Sequence, residues 1–323
     1  MKHISRMLIS MALLFGPYGP LALVQAGDEP SVAKEHPAKR IIALSPHGVE
    51  MLYAIGAGDA IVATTDHADY PEAARQIPRI GGYYGIQIEK VIELNPDLVL
   101  VWDSGNKVED ITRLQALGFK LYHSNPKTLE AIAHELQDLG KLVGHEAEAN
   151  RVAGDFLASL TQIRARNQAK PEVSVFYQLW SSPLMTVAKN SWIQQIIQVC
   201  HGRNVFYQAA SDYPQVSLEN VLLTMPQVIL QSRDEGNVHG LDWSKWPEIP
   251  AVKGGHIYQL DADLLHRAAP RALLGVQLVC DALDKARGPE PVNKKPVNKK
   301  PVNKEPVGNE PAEKEPVQTR PSI

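Results

Sequence analysis

Eleven histidines and two cysteines are the chain's stock of metal-ligating and nucleophilic groups, and their spacing builds no catalytic motif. There is no Gly-x-Ser-x-Gly elbow, no His-Glu-x-x-His pair, no P-loop and no Gly-x-Gly-x-x-Gly after a strand. Ser45 and His47 share a turn, with no partner acid evident for a triad. Gly56-Ala57-Gly58 follows a helical stretch and reads as its cap, not as a nucleotide loop. Cys200 and Cys280 are too far apart for close metal-ligand spacing and read as one disulfide, with two buried thiols as the alternative. Closing a loop of that length contributes about 4 kcal/mol in the chain-entropy model. The chemistry on offer is binding.

The ends of the chain set its context. Lys2 and Arg6 precede the apolar run Met7 to Phe15, and Val24-Gln25-Ala26 supplies small residues for cleavage, so residues 1–26 read as a signal peptide. That run is shorter than the roughly 20 residues of a spanning helix. No cysteine lies near the cleavage point to carry a lipid, which predicts a soluble periplasmic protein. Residues 288–323 repeat Pro-Val-Asn-Lys with almost no side chains to bury, and they read as a disordered tail. A net charge of −3 gives no reason to expect nucleic acid.

Between these ends, short apolar runs alternate with helical stretches, which predicts α/β structure with parallel sheets. Ile41-Ile42-Ala43-Leu44, Ile61-Val62-Ala63-Thr64 and Leu98-Val99-Leu100-Val101-Trp102 read as buried strands. The unit then recurs. Ile88-Glu89-Lys90-Val91-Ile92-Glu93-Leu94-Asn95-Pro96 is answered by Leu218-Glu219-Asn220-Val221-Leu222-Leu223-Thr224-Met225-Pro226, each leading into an apolar strand. Val152, Phe156, Leu160 and Ile163 mark one face of a long helix between the copies. The predicted organisation is two similar Rossmann-like lobes, residues 38–144 and 170–287, joined by one backbone helix at 145–169. A cleft between lobes is the default ligand site.

Leu44-Ser45-Pro46, Asp69-Tyr70-Pro71, Leu94-Asn95-Pro96-Asp97, Tyr213-Pro214-Gln215-Val216-Ser217 and Arg267-Ala268-Ala269-Pro270-Arg271 resemble the helical-backbone substrate-binding proteins of metal-chelate ABC importers. The cobalamin-binding members of that family match best, over about residues 40–285. The resemblance implies a class III periplasmic binding protein that takes cobalamin as transported ligand, with no cofactor and no catalysis. It implies a ligand set of His67, Tyr83, Trp102, Leu179, Tyr213, Asp263 and Arg267, the last two meeting corrinoid amides or pairing with each other. Rigid aromatics suit a large flat ring with an amide rim. His67 and Leu179 stand where the family has aromatics; Trp180 is adjacent to Leu179 and is placed to compensate. His67 reads as a polar wall contact, with coordination of cobalt as the sharper alternative. Trp243 and Trp246 read as packing residues.

Glu89 and Glu219 each lie near a helix start, where a carboxylate is stabilised by the helix dipole. The resemblance gives them a second role, docking onto arginines of a dimeric permease served by ATPase subunits. The rival cargoes are haem, for which His67 or Tyr70 would be the axial ligand, and a ferric siderophore, which would want more arginine than Arg267 alone. A zinc site would need several converging histidines, which this set lacks.

Overall fold

The computed structural model describes residues 36–233 and 241–288. The expected signal peptide and C-terminal tail lie outside the described residues.

The N-terminal half opens with β1 (Ile41–Ala43) and α1 (Pro46–Ala54), then β2 (Ile61–Thr64), the hairpin β3 (Gly81–Gly82) and β4 (Gly85–Ile86), α2 (Ile88–Leu94), β5 (Leu98–Trp102), α3 (Val108–Ala116) and β6 (Leu121–Ser124). Helices α4 (Leu129–Val143) and α5 (Glu146–Asn167) follow. The C-terminal half runs through β7 (Val173–Gln178), the hairpin β8 (Trp180–Ser181) and β9 (Leu184–Met185), α6 (Trp192–Val199), β10 (Gly202–Asn204) and α7 (Leu218–Thr224). It closes with β11 (Val228–Arg233), α8 (Pro250–Lys253), β12 (Ile257–Asp261), α9 (Ala262–His266) and α10 (Ala272–Arg287).

Each half builds one four-stranded parallel sheet, ordered β2-β1-β5-β6 and β10-β7-β11-β12. Counting only the strands of each four-stranded sheet in chain order, both sheets have the order 2-1-3-4, so the repeat read from the glutamate segments extends to topology. Local chemistry repeats as well. Ser45 caps α1 through the Gly48 amide, and Ser191 caps α6 through the Gln194 amide. Helices α2 and α7 both end in a left-handed residue, Asn95 (φ 43°) and Met225 (φ 45°). Buried parallel strands need apolar residues on both faces, which is why β1 and β5 read as unbroken runs.

One apolar core runs from the inner face of the first sheet through α4 and α5 to the inner face of the second. Ala149, Ala153, Phe156, Leu160 and Ile163 form the buried face of α5, while Val152 is only half-buried, one position off the expected stripe. Gly140 lets α4 approach α5, since a Cβ there would lie 2.3 Å from that of Ala149. Each buried Leu or Ile contributes about 2 kcal/mol, and the helical join is packed as part of the core. Trp243 is buried against Phe176 in a smaller outer cluster with Trp246, the packing role expected of both. Cys200, at the end of α6, and Cys280, in α10, form a disulfide within the main core. Among the described residues, no helix is long and apolar enough to cross a membrane.

Candidate functional site

The carboxyl ends of both sheets face each other, and ion pairs crossing the gap establish this. Glu50 sits in α1, which leaves the end of β1; Arg267 and Arg271 follow β12 and α9. Arg271 donates to Glu50 from Nε (2.8 Å) and Nη2 (2.6 Å), and Arg267 Nη1 lies 3.2 Å from the same carboxylate. Arg267 Nη1 also bonds Asp69 at 2.7 Å, and Nη2 reaches Asp263 at 2.8 Å. The Tyr70 ring lies under the Arg271 guanidinium, 3.7 Å away. Ligands of open α/β sheets bind at strand carboxyl ends, so this junction marks the cleft.

Loops at the same ends carry the expected aromatics. Trp102 closes β5 in a held position: its backbone N–H donates to Asn106 Oδ1 (2.7 Å), while Asn106 Nδ2 donates to the Leu44 carbonyl at the end of β1 (2.8 Å). Its indole fills the space beside Gly105, where a Cβ would come within 1.9 Å of the ring, and meets the His47 ring edge-on at 5.2 Å. Tyr83, 83% exposed, stands at the tip of the β3–β4 hairpin with Tyr84 against it. That hairpin depends on Gly81 (φ 155°), where a Cβ would lie 2.3 Å from the Gly85 carbonyl oxygen. In the other lobe, Tyr213 is 48% exposed and Trp180, on the β8–β9 hairpin, 54%. Met185 pairs with both Trp180 and Gln215, tying that hairpin to the segment bearing Tyr213. Leu179 is half-buried and packs on the core.

His67 follows β2 with an exposed side chain and a left-handed backbone (φ 64°). Among the described residues, no group of three or more His, Cys, Asp or Glu side chains is arranged to hold a metal ion. Of the two readings for Asp263 and Arg267, mutual pairing is present. Burial raises the Asp263 pKa, with Arg267 partly offsetting it; burial also opposes ionisation of Asp69, but Arg267 outweighs this and lowers its pKa. Glu50, Asp69 and Arg271 were not expected as site residues. A glutamate on the buried face of an apolar helix was the readable signal for Glu50.

An acid does stand behind Ser45 and His47, contrary to expectation. Ser124 donates to Glu135 (2.6 Å), so His47 donates to Ser124 from Nε2 (2.9 Å), and Ser45 lies 3.5 Å from the same nitrogen. Burial first, then the nearby Arg267 charge, pushes the His47 pKa down to about 4. The imidazole is neutral, sealed and edge-on to Trp102: a support for the cleft floor.

Glu89 and Glu219 lie in the first turns of α2 and α7, at equivalent positions of the two lobes. Glu89 pairs with Arg113 at 3.3 Å. The backbone N–H of Glu219, with the Ser217 hydroxyl, lowers the Glu219 pKa. A cavity of about 280 Å³ also lies at the lobe junction, lined by Glu50, Tyr53, Tyr70, Pro71, Pro270 and Arg271 among others. Trp102, Tyr83, Trp180 and Tyr213 do not line it.

A family model described as periplasmic binding protein matches residues 41–264. The chain belongs to the periplasmic binding protein family. A relative from Vibrio vulnificus (strain CMCP6), a vitamin B12-binding protein, is 40% identical over 246 residues, covering 76% of this chain and 90% of its own. The crystal structure of the periplasmic vitamin B12-binding protein BtuF of Vibrio cholerae superposes with a TM-score of 0.73 at 36% identity, covering 78% of this chain and 99% of that one. The periplasmic haem-binding protein RhuT from Roseiflexus sp. RS-1 has a TM-score of 0.69 at 23% identity, covering 77% and 99%; that likeness is one of fold. As a periplasmic binding protein built from two similar α/β lobes on a backbone helix, the chain is a binding protein and not an enzyme.

Proposed function

We propose that this protein captures cobalamin between its lobes in the periplasm and delivers it to an ABC importer in the inner membrane. The observation that carries the reading is 40% identity to a vitamin B12-binding protein over 90% of that relative's length. The cleft chemistry agrees with it. Tyr83 and Trp102 from one lobe, and Tyr213 from the other, offer rigid apolar area to a flat ring, while Asp263 and Arg267 meet rim amides. Leu179 borders the ring through its half-buried side chain, and Trp180 takes the stacking position beside it. His67 is a polar wall contact. Glu89 and Glu219 dock onto the paired permease subunits, which stand on their ATPases; the duplicated lobes suit a twofold partner, and rim charges of this kind steer and orient.

Equilibrium dialysis against cyanocobalamin, cobinamide, haemin and a ferric siderophore tests the cargo. Retention of the corrinoids is expected. Retention of haemin or siderophore alone would move the protein to that cargo. Cobalt coordination by His67 has its own readout: the bound-cobalamin spectrum stays unchanged in His67→Ala if His67 is only a wall contact, and shifts if it is an axial ligand.

A further inference from the structure

We propose that Glu50 is a positioning residue of the clamp: from one lobe it anchors Arg267 and Arg271 of the other, setting the lobe separation and leaving Arg267 as an arm that exchanges Asp69 or Asp263 for ligand. The exchange rests on the cobalamin reading above; the lobe separation does not.

Three features single out Glu50. Its side chain is 2% exposed, yet it accepts from two guanidiniums, so it cannot return to water without parting the lobes. It stands in a helix capped by Ser45, begun by Pro46 and seated on the main core, which makes it a rigid mount. Its partner Arg271 is the N-cap residue of α10, where the helix dipole disfavours a cation. The groups that compensate, Glu50 and the Tyr70 face, both come from the opposite lobe. Arg271 is therefore placed for the junction and not for its own helix.

Arg267 is held differently. Beyond Glu50, its acceptors are Asp69 and Asp263, whose side chains are 41% and 45% exposed. Either carboxylate regains water readily when a ligand carbonyl takes its place on the guanidinium. Three carboxylates face two guanidiniums in this cluster, so releasing one of them leaves the charges balanced.

The test combines a distance and a rate. Nitroxides at Glu109→Cys and Lys253→Cys, exposed on the outer helices α3 and α8, report lobe separation by pulsed electron resonance without ligand. The native background is expected to give one narrow distribution. Glu50→Gln and Arg271→Lys, which keep the packing volume, are expected to broaden it or shift it outward, and to raise the corrinoid off-rate about tenfold. Asp69→Asn, which removes only an exchangeable acceptor of Arg267, is expected to leave the ligand-free distance unchanged. A native distribution and off-rate in Glu50→Gln overturn the proposal, as does an Asp69→Asn variant that opens the lobes equally. If the unsubstituted protein binds no corrinoid, the cargo reading fails, and the ligand-free distances alone still decide the role of Glu50.

Discussion

Leu179 and Trp180 are neighbours in sequence but differ in burial: Leu179 is half-buried and packs on the core, while Trp180 stands out on the β8–β9 hairpin beside the segment that carries Tyr213. Trp180→Ala is expected to weaken corrinoid binding by about 1–2 kcal/mol through lost ring contact, with a smaller effect on thermal stability. Leu179→Ala is expected to show the reverse order. Equal affinities for Trp180→Ala and unsubstituted protein would remove Trp180 from the site.

His47 ties stability to pH. Its folded pKa of about 4 lies below the ordinary 6.5, so the unfolded chain binds the extra proton first. The contribution is fully present above pH 6.5 and is lost as pH falls towards 4, amounting to about 3 kcal/mol. Urea unfolding of native protein and His47→Gln across this range checks it. The variant is expected to have the flatter profile; parallel profiles would exclude His47 as a source of the dependence.

The lobes repeat their glutamates but not the surroundings of those glutamates. Glu89 shares its charge with Arg113, whereas the Glu219 carboxylate is satisfied by a backbone N–H and Ser217. Reversal of both to Lys is expected to abolish delivery in reconstituted vesicles with corrinoid affinity unchanged, and single reversals to weaken the complex about tenfold. Glu219→Lys is expected to be the more damaging. Intact transport by the double variant would rule out docking through these residues.

The disulfide joins the end of α6 to α10, in the core of one lobe. Reduction, or Cys200→Ser with Cys280→Ser, is expected to cost about 2–4 kcal/mol in unfolding free energy and little in ligand affinity. An unchanged urea midpoint would contradict this.

Much of this architecture is legible without coordinates. The strands Leu98–Trp102 and Ile61–Thr64 have the bounds their apolar runs suggest, because a buried parallel strand leaves a local mark. The duplication was visible in two short segments, and the strand order extends it to both sheets. What escaped notice depends on contacts distant in sequence. Nothing near Glu50 announces Arg271, more than two hundred residues later, and nothing near His47 announces Glu135 behind Ser124. The half-burial of Val152 is a smaller case, since helix phase fixes a stripe only to within a residue or so.

Under the proposed function this clamp takes a corrinoid as its ligand. Calorimetric titration of the purified protein with cyanocobalamin tests it most directly. One site per chain with a Kd below about 1 μM, weakened by Trp102→Ala and Tyr213→Ala together, is the predicted result. No saturable heat with cyanocobalamin, under conditions where haemin or a ferric siderophore saturates the same protein, would contradict it.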